Sequence, residues 1–380
     1  MMNLLKNKLH FDGIRNNDNG HHSDPVNCRQ DAITNKFIRN IQHYEFDNIY
    51  IFNEKKTNHQ ELFYKKSDSI MTTSINKLYK GKLKIWYHHS VKDHKCISET
   101  VPFEIIDVAV KIIEHSDAIE NENNEPEMLY YLRDMPQVIN QFGYHIDTKN
   151  KKCIMVLEWC TGGDLFDYIS AHMHPTDHKI TTTLRLINIK KIIRWLVDSI
   201  DKCHKKDICH LDLKIDNIML RECYDADLNI DTLRLIDFGA AKFIHDNGMN
   251  IEYDYICTSP NYTPPEVINK FYLPLHLRFL ENYKLTGINL CKIDIWQIGV
   301  IAYILIHGSF PFLSTEKYPK QEHVFRQIGE CKYPKFTKEK DIDGNILCDE
   351  YGIDFIMGAM CFNPARRYSM ADLINHKWLS

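Results

Sequence analysis

The sequence predicts a bilobal α+β protein, with a small β-rich N-terminal lobe followed by a larger, mainly α-helical C-terminal lobe. Three stretches carry that expectation. Phe103 to Lys111 is a β-branched run that alternates with period two toward its end. Cys153 to Leu157 is a strongly apolar strand stopped by the Thr161-Gly162-Gly163 turn. Beyond that turn Ile189, Ile192, Ile193, Leu196, Val197, Ile200 and Cys203 recur at helical spacing, so the pattern changes from strand to buried helix. With 380 residues, 44% of them hydrophobic, the chain can bury one large core or two modest ones.

Taken in order, residues 1–75 set short apolar patches such as Phe37-Ile38 and Ile49 to Phe52 among polar Asn, His and Asp stretches, and read as a weakly ordered or accessory arm. The ordered domain is expected over 76–379, with an N-lobe at about 76–157, a hinge at 158–163 and a C-lobe at 164–379. Within the N-lobe, Lys82 to Tyr87 reads as a strand, and Ala109 and Lys111 share one face of the next because successive side chains alternate. His88, His89, His94 and Cys96 fit no standard zinc-ligand spacing and read as a polar insert. A helix follows around Glu125 to Arg133, before Pro136. In the C-lobe the most apolar run, Ile298 to Ile306, is about half the ~20 residues that a membrane helix needs, so it reads as a buried core helix. The last helix runs from Met370 to Trp378.

Composition excludes some partners. A net charge of -4 and a pI near 6.6 give no broad basic field, so neither nucleic acid nor a membrane surface is expected. The twelve cysteines form no C-x-x-C pair, and Met1 to Lys6 is too short and polar for a leader. Reduced thiols and a cytoplasmic location are the expectation.

The chemistry concentrates in His210-Leu211-Asp212-Leu213-Lys214-Ile215-Asp216-Asn217, followed after an acidic insert by Asp237-Phe238-Gly239. These supply a candidate base, Asp212, and two hard oxygen ligands for a metal, Asn217 and Asp237. The order H-x-D-x-x-x-x-N then D-F-G resembles the catalytic and metal-binding loops of eukaryotic-type protein kinases, and Lys214 after the Asp resembles their serine/threonine branch. Val108-Ala109-Val110-Lys111 is similar to that family's V-A-I-K, Thr258 to Glu266 to its G-T-P-x-Y-x-A-P-E, and Asp294-Ile295-Trp296-Gln297-Ile298-Gly299 to its D-x-W-x-x-G. The bias toward Asn, Ile, Lys and His resembles proteins of AT-rich genomes, kinases of giant amoebal viruses among them, and reports on codons rather than chemistry.

That resemblance, over about residues 76–379, implies a protein-kinase-like fold and transfer of the γ-phosphate of ATP to protein Ser/Thr hydroxyls with Mg2+. It implies that Lys111 meets the α- and β-phosphates, that Ala109 lies above the adenine and Met219 below it, and that the backbone of Glu158 and Cys160 faces the adenine edge after the gatekeeper Leu157. It further implies that Lys214 stabilises the transferring group, and that Asp164 and Asp216 match positions that touch ribose or basic substrate residues. The carboxylate partner of Lys111 is Glu125 or Glu127; Met128, Leu129 and Leu132 follow Glu125 at apolar-face spacing and favour it, whereas Pro126 keeps it at the helix edge. Glu266 is expected to pair with Arg367.

Two departures stand out. The phosphate-covering G-x-G-x-x-G keeps, in its best register over Tyr79 to Trp86, only Gly81, with Lys80, Lys82 and Lys84 available to supply charge instead. A catalytically weak or inactive nucleotide-binding scaffold is therefore the alternative function. Leu211 replaces the Arg that receives an activation-loop phosphate, from which activity independent of loop phosphorylation is expected.

Overall fold

The computed structural model describes residues 46–52, 58–72, 76–87, 104–114, 125–147, 152–172, 182–222, 228–244, 256, 258–269, 289–312, 321–329, 336 and 348–380. The chain divides into two compact units, one ending at Thr161 and the other beginning at Gly162. The expected hinge, 158–163, straddles that division.

The first unit is a six-stranded antiparallel sheet in the order β1-β2-β3-β4-β6-β5. Its strands are β1 Phe46–Phe52, β2 Asn58–Thr72, β3 Asn76–Tyr87, β4 Glu104–Glu114, β5 Gln141–Asp147 and β6 Lys152–Glu158. Helix α1, Glu125–Tyr131, lies between β4 and β5 in sequence and buries Met128 and Leu129. Val108 to Ile113 are all buried, which explains why β4 reads as a near-continuous apolar run around one lysine.

Two expectations need correction. Part of the supposed arm is sheet: β1 and β2 precede residue 76 and pair in register with the domain, Tyr64 opposite Gly81 and Thr72 opposite Lys77. Without β2, the backbone of β3 would be an open edge, and satisfying that ladder outweighs the polar composition that hid the strands. The remainder of the arm, 1–45, 53–57 and 73–75, lies outside the described residues, as do His88, His89, His94 and Cys96. The second correction concerns Gly81. It sits in mid-strand, opposite Val108 of β4 as well as Tyr64 of β2, so it is not in a phosphate-covering turn. The chain reverses between Thr72 and Asn76, where the sequence reads Thr73-Ser74-Ile75 and contains no glycine.

The second unit is mainly helical. Its longer helices among the described residues are α2 Leu165–His172, α3 Thr182–His204, α4 Leu290–His307, α5 Gln321–Gly329, α6 Glu350–Ala359 and α7 Met370–Ile374, after which Lys377–Leu379 forms a short 3-10 turn. The expected last helix is thus two pieces separated by Asn375 and His376. Strand pairs β7 Ile208–Cys209 with β10 Lys242–Phe243, and β8 Ile218–Leu220 with β9 Leu233–Leu235, frame the loops that carry the motifs. Helix α4 is the hub: it is apolar enough in length and composition to cross a membrane, yet 83% of it is buried among α3, α6 and the loops. Ser369 begins α7 with a reciprocal cap, its hydroxyl accepting from the Asp372 N–H while Asp372 accepts from the Ser369 N–H.

Gly299 lets α4 and α6 approach closely, since a methyl there would lie 2.6 Å from Met360 Cγ and 2.9 Å from Ala359 Cβ. Gly299→Ala is expected to lower unfolding stability by ~1–3 kcal/mol through overpacking, read as a reduced urea midpoint at unchanged slope.

Candidate active site

In the first unit, the register sets one face of the sheet. Leu78 lies opposite Lys111, Lys80 opposite Ala109 and Lys82 opposite Asp107, while Ala109 and Lys111 face Leu157 and Met155 of β6. These residues share a face because paired positions in adjacent strands point the same way. Lys111 Nζ donates to Glu125 Oε2 at 2.6 Å, with both side chains almost fully buried. Glu125 starts α1, where Pro126 is tolerated because a first-turn N–H has no intrahelical acceptor. Glu127 is half-buried and its carboxyl is raised by that burial. Glu125, not Glu127, is therefore the residue paired with Lys111 in this structure.

Lys80 and Lys82 are committed elsewhere. Their ammonium groups lie 3.0 and 2.6 Å from the Asp107 carboxylate, and Lys80 also stands over the Trp159 ring at 4.9 Å. Asp107 is held below its usual range, chiefly by the Lys82 hydrogen bond. The Lys84 side chain lies outside the described residues. Leu78, buried on the Ala109 face, was missed as a wall residue because only pairing register places it there.

The Glu158 N–H donates to the Asn140 carbonyl at 3.3 Å, and Cys160 is buried just past β6. At the start of the second unit, Gly162 N–H donates to Leu220 O and Leu220 N–H to Gly163 O, and Asp164 bridges to Met219. A methyl on Gly162 would meet Glu222 O at 2.2 Å, so this approach requires glycine. Met219 is fully buried in β8. Asp164 accepts from the Asp167 N–H at the head of α2, and burial raises its carboxyl. Asp216 is exposed beside the catalytic loop.

Asp212 is the centre of the second unit's site. Its Oδ2 accepts from Lys214 Nζ at 2.7 Å and Asn217 Nδ2 at 3.4 Å, and its Oδ1 from the Ser259 N–H at 2.8 Å. Lys214 Nζ also donates to Ser259 Oγ at 3.2 Å. Burial pulls the Lys214 ammonium down, but the Asp212 carboxylate outweighs it and the net direction is up. Ser259 is the residue that motif reading undervalued. It stands where the motif carries its Thr, yet its contact with Asp212 needed the fold to bring two loops together.

Asn217 and Asp237 are brought together by β8 and β9. Ile236 N–H donates to Asn217 O at 3.0 Å, which places Asp237 one residue away. Asn217 Nδ2 is spent on Asp212 O at 2.8 Å, orienting the amide so that its oxygen is the available acceptor. Asp237 has a left-handed backbone, φ 62, and its carboxylate does not cap the turn that follows. An amide oxygen and a carboxylate are the hard donors that Mg2+ selects, so the residues fit the metal the motif implies.

The loop backbone is held from beneath by α4. Asp294 Oδ1 accepts from the Leu211 N–H at 2.8 Å, and Oδ2 accepts from the His210 N–H at 3.0 Å and the His204 ring at 2.7 Å. Gln297 accepts from Leu213 N–H and donates to Leu211 O. His210 donates from Nε2 to Ile236 O and packs against Phe238 with the rings tilted, centroids 4.6 Å apart. Leu211 has φ 66, an expensive conformation for a branched side chain, and this clamp keeps it there. Where an Arg is expected, Leu211 is buried with Cys209, Ile256, Val267, Leu290 and Ile293. Glu266 and Arg367 form a bidentate pair at 2.7 and 2.9 Å, fully buried, with Arg367 also donating to Lys292 O and Cys361 O.

The family described as the protein kinase domain matches residues 104–379, and the chain belongs to it. It is similar to death-associated protein kinase 2 of Mus musculus and of Homo sapiens, each 29% identical over 229 residues, 60% of this chain and 50% of the relative. It is also similar to NUAK family SNF1-like kinase 2 of Homo sapiens, 26% identical over 280 residues, 72% of this chain and 36% of the relative. The chain thus spans half or less of the length of these curated relatives.

Arg367→Met is expected to cost ~3–5 kcal/mol, because it strands the Glu266 carboxylate in the core. Pairing it with Glu266→Leu should recover much of the loss in denaturant melts. Equal destabilisation of the single and double variants would show that the charge pair is not what holds the segment.

Proposed function

We propose that this chain is an active serine/threonine protein kinase that transfers the γ-phosphate of ATP to a serine or threonine hydroxyl of a protein substrate, with Mg2+ as its metal. The observation that carries the reading is the fixed Asp212 carboxylate, with Lys214 and Ser259 on it and the Asn217 amide turned by the same loop. Phosphoryl transfer asks a protein mainly to position the reactants and to offset charge. Asp212 orients the acceptor hydroxyl and takes its proton as the oxygen bonds to the γ-phosphorus and ADP leaves. The Lys214 ammonium, charged because Asp212 favours it, offsets charge on the transferring group. Asn217 and Asp237 would hold Mg2+, which supplies neutralisation of the phosphate oxygens. Lys111, held by Glu125, is the cation for the α- and β-phosphates. A cytoplasmic location belongs to the same proposal and rests on the lack of any C-x-x-C pair among the twelve cysteines of the sequence.

The competing reading is a nucleotide-binding scaffold, favoured by the absence of glycine from Thr73-Ser74-Ile75 and by the commitment of Lys80 and Lys82 to Asp107. Turnover of labelled Mg-ATP with a peptide library separates the two. Asp212→Asn should lower kcat by about 10²–10⁴-fold with little change in nucleotide binding, the range expected for removing a general base. Binding without any turnover in the parent protein would leave the scaffold. Ser259→Ala should lower kcat more mildly, and Ser259→Asp should abolish it by placing a carboxylate against Asp212.

Leu211 sits in an apolar cluster with Ile256 and Val267, where other members of the family use a phosphate-binding Arg. Phosphatase treatment is therefore expected to leave the rate unchanged. A large loss would point to Thr258 or Ser259, or to Tyr253 and Tyr255, which lie outside the described residues.

A further inference from the structure

Beneath the catalytic loop, on the side away from Asp212, three reactive side chains converge that phosphoryl transfer does not use. Cys209 ends β7, immediately before His210, and Cys291 lies in the first turn of α4, three residues before Asp294. Their sulfurs are 3.6 Å apart across 82 residues of chain. The ligating atoms of Cys209, Cys291 and His204 all lie within 4.8 Å of one another. His204 is oriented by Asp294 at 2.7 Å, and a nitrogen of its ring lies within 4.8 Å of both sulfurs. The result is a cluster of one carboxylate, one imidazole and two thiols.

We propose that Cys209 and Cys291 are an oxidisable dithiol, a modification site at which a hydroperoxide is reduced as an intrachain disulfide closes beneath the catalytic loop. In the first step the Cys291 thiolate attacks the peroxide O–O bond, giving a sulfenic acid at Cys291 and, after protonation of the leaving oxygen, water or an alcohol. In the second step the Cys209 sulfur displaces the sulfenic oxygen as water, and the S–S bond forms. Both thiols are oxidised, the peroxide is reduced by two electrons, and atoms balance without another reactant.

The division of labour follows from the surroundings. The Cys291 thiol is lowered to about 5 by the hydrogen bond from Cys209 and then by the His204 imidazolium, against burial. The His204 ring is raised to about 10, because Asp294 and Cys291 outweigh the burial that pulls it down. Burial pushes the Cys209 thiol up, so it remains the donor. Cys291 is partly exposed and Cys209 is fully buried, which makes Cys291 the attacking group and Cys209 the resolving one. Closing the bond needs the sulfurs to move from 3.6 Å to roughly 2.05 Å, within reach of side-chain rotation. The same donors are soft metal ligands, but they number three among the described residues, and both Asp294 oxygens already accept from His204, His210 and Leu211.

The experiment uses the full chain, reduced and then exchanged out of thiol, with hydrogen peroxide as the probe at a few equivalents. Free thiols are then alkylated, and intact mass and a non-reducing peptide map are recorded. The expected result is loss of one pair of thiols and a cross-linked peptide joining Cys209 to Cys291, reversed by dithiothreitol, with Cys348 and Cys361 alkylated as before. The rate should be nearly flat between about pH 6.5 and pH 8.5, whereas a thiol near its ordinary value would react roughly tenfold faster per unit over that range. Cys291→Ser should leave Cys209 reduced, and Cys209→Ser should trap a sulfenic acid at Cys291 that a dimedone probe labels. Cross-links at other cysteines, oxidation at the rate of the remaining thiols, or one equivalent of zinc that co-purifies and blocks alkylation of Cys209 and Cys291 would each overturn the proposal. The map is read on the parent protein, so it stands even if a variant fails to fold, and it does not depend on kinase activity.

Discussion

The Asp294 carboxylate is the constraint on which the second unit depends. It is fully buried, and a buried anion is tolerable only when its lone pairs are satisfied and its charge is offset. Two backbone N–H groups of the catalytic loop and the protonated His204 ring do both. In return the loop is pinned with Leu211 in a left-handed conformation that it would not adopt alone. That twist directs His210 toward Phe238 and Ile236, and leaves Asp212 facing Lys214, Asn217 and Ser259. Helix α4 supplies Gln297 for the next turn of the same loop, so the hub of the fold and the chemical site are joined through one carboxylate and one amide.

The same region shows how one interaction can be replaced by another of different physics. An Arg after the loop His would make an ordering contact that exists only when phosphate is present. Leu211 instead buries itself with Ile256 and Val267, and that contact is independent of charge and salt. Glu266 and Arg367 anchor the far end of the segment by a fully desolvated fork, and Tyr262, its hydroxyl pushed up by burial, accepts from the Ile215 N–H. The segment around Ser259 is thus fastened at both ends without a phosphate.

Much of this was legible before any coordinates. Lys111, Asp212, Lys214, Asn217 and Asp237 were readable as candidates from fixed short spacings, because each motif is a local structure whose residues must be near one another in sequence. The apolar positions behind Glu125 favoured it over Glu127, since a helix presents i+3, i+4 and i+7 on one face, but both stayed open until the fold paired Glu125 with Lys111. Gly81 was misplaced for the opposite reason. A lone glycine marks either a turn or a strand position of close approach, and only its pairing with Tyr64 and Val108 tells which. Strands β1 and β2 escaped notice because polar residues interrupt them and their stability comes from a neighbour's ladder.

The sequence by itself determined the two-part architecture and singled out the candidate residues for chemistry, because hydrophobic period and motif spacing are properties of the chain taken locally. Only the tertiary structure decided which carboxylate meets Lys111, that Lys80 and Lys82 close on Asp107, that Ser259 reaches Asp212, and that Cys209 lies against Cys291. Those contacts join residues from about a dozen to more than eighty positions apart. Register and packing set them, and neither is written in any single segment.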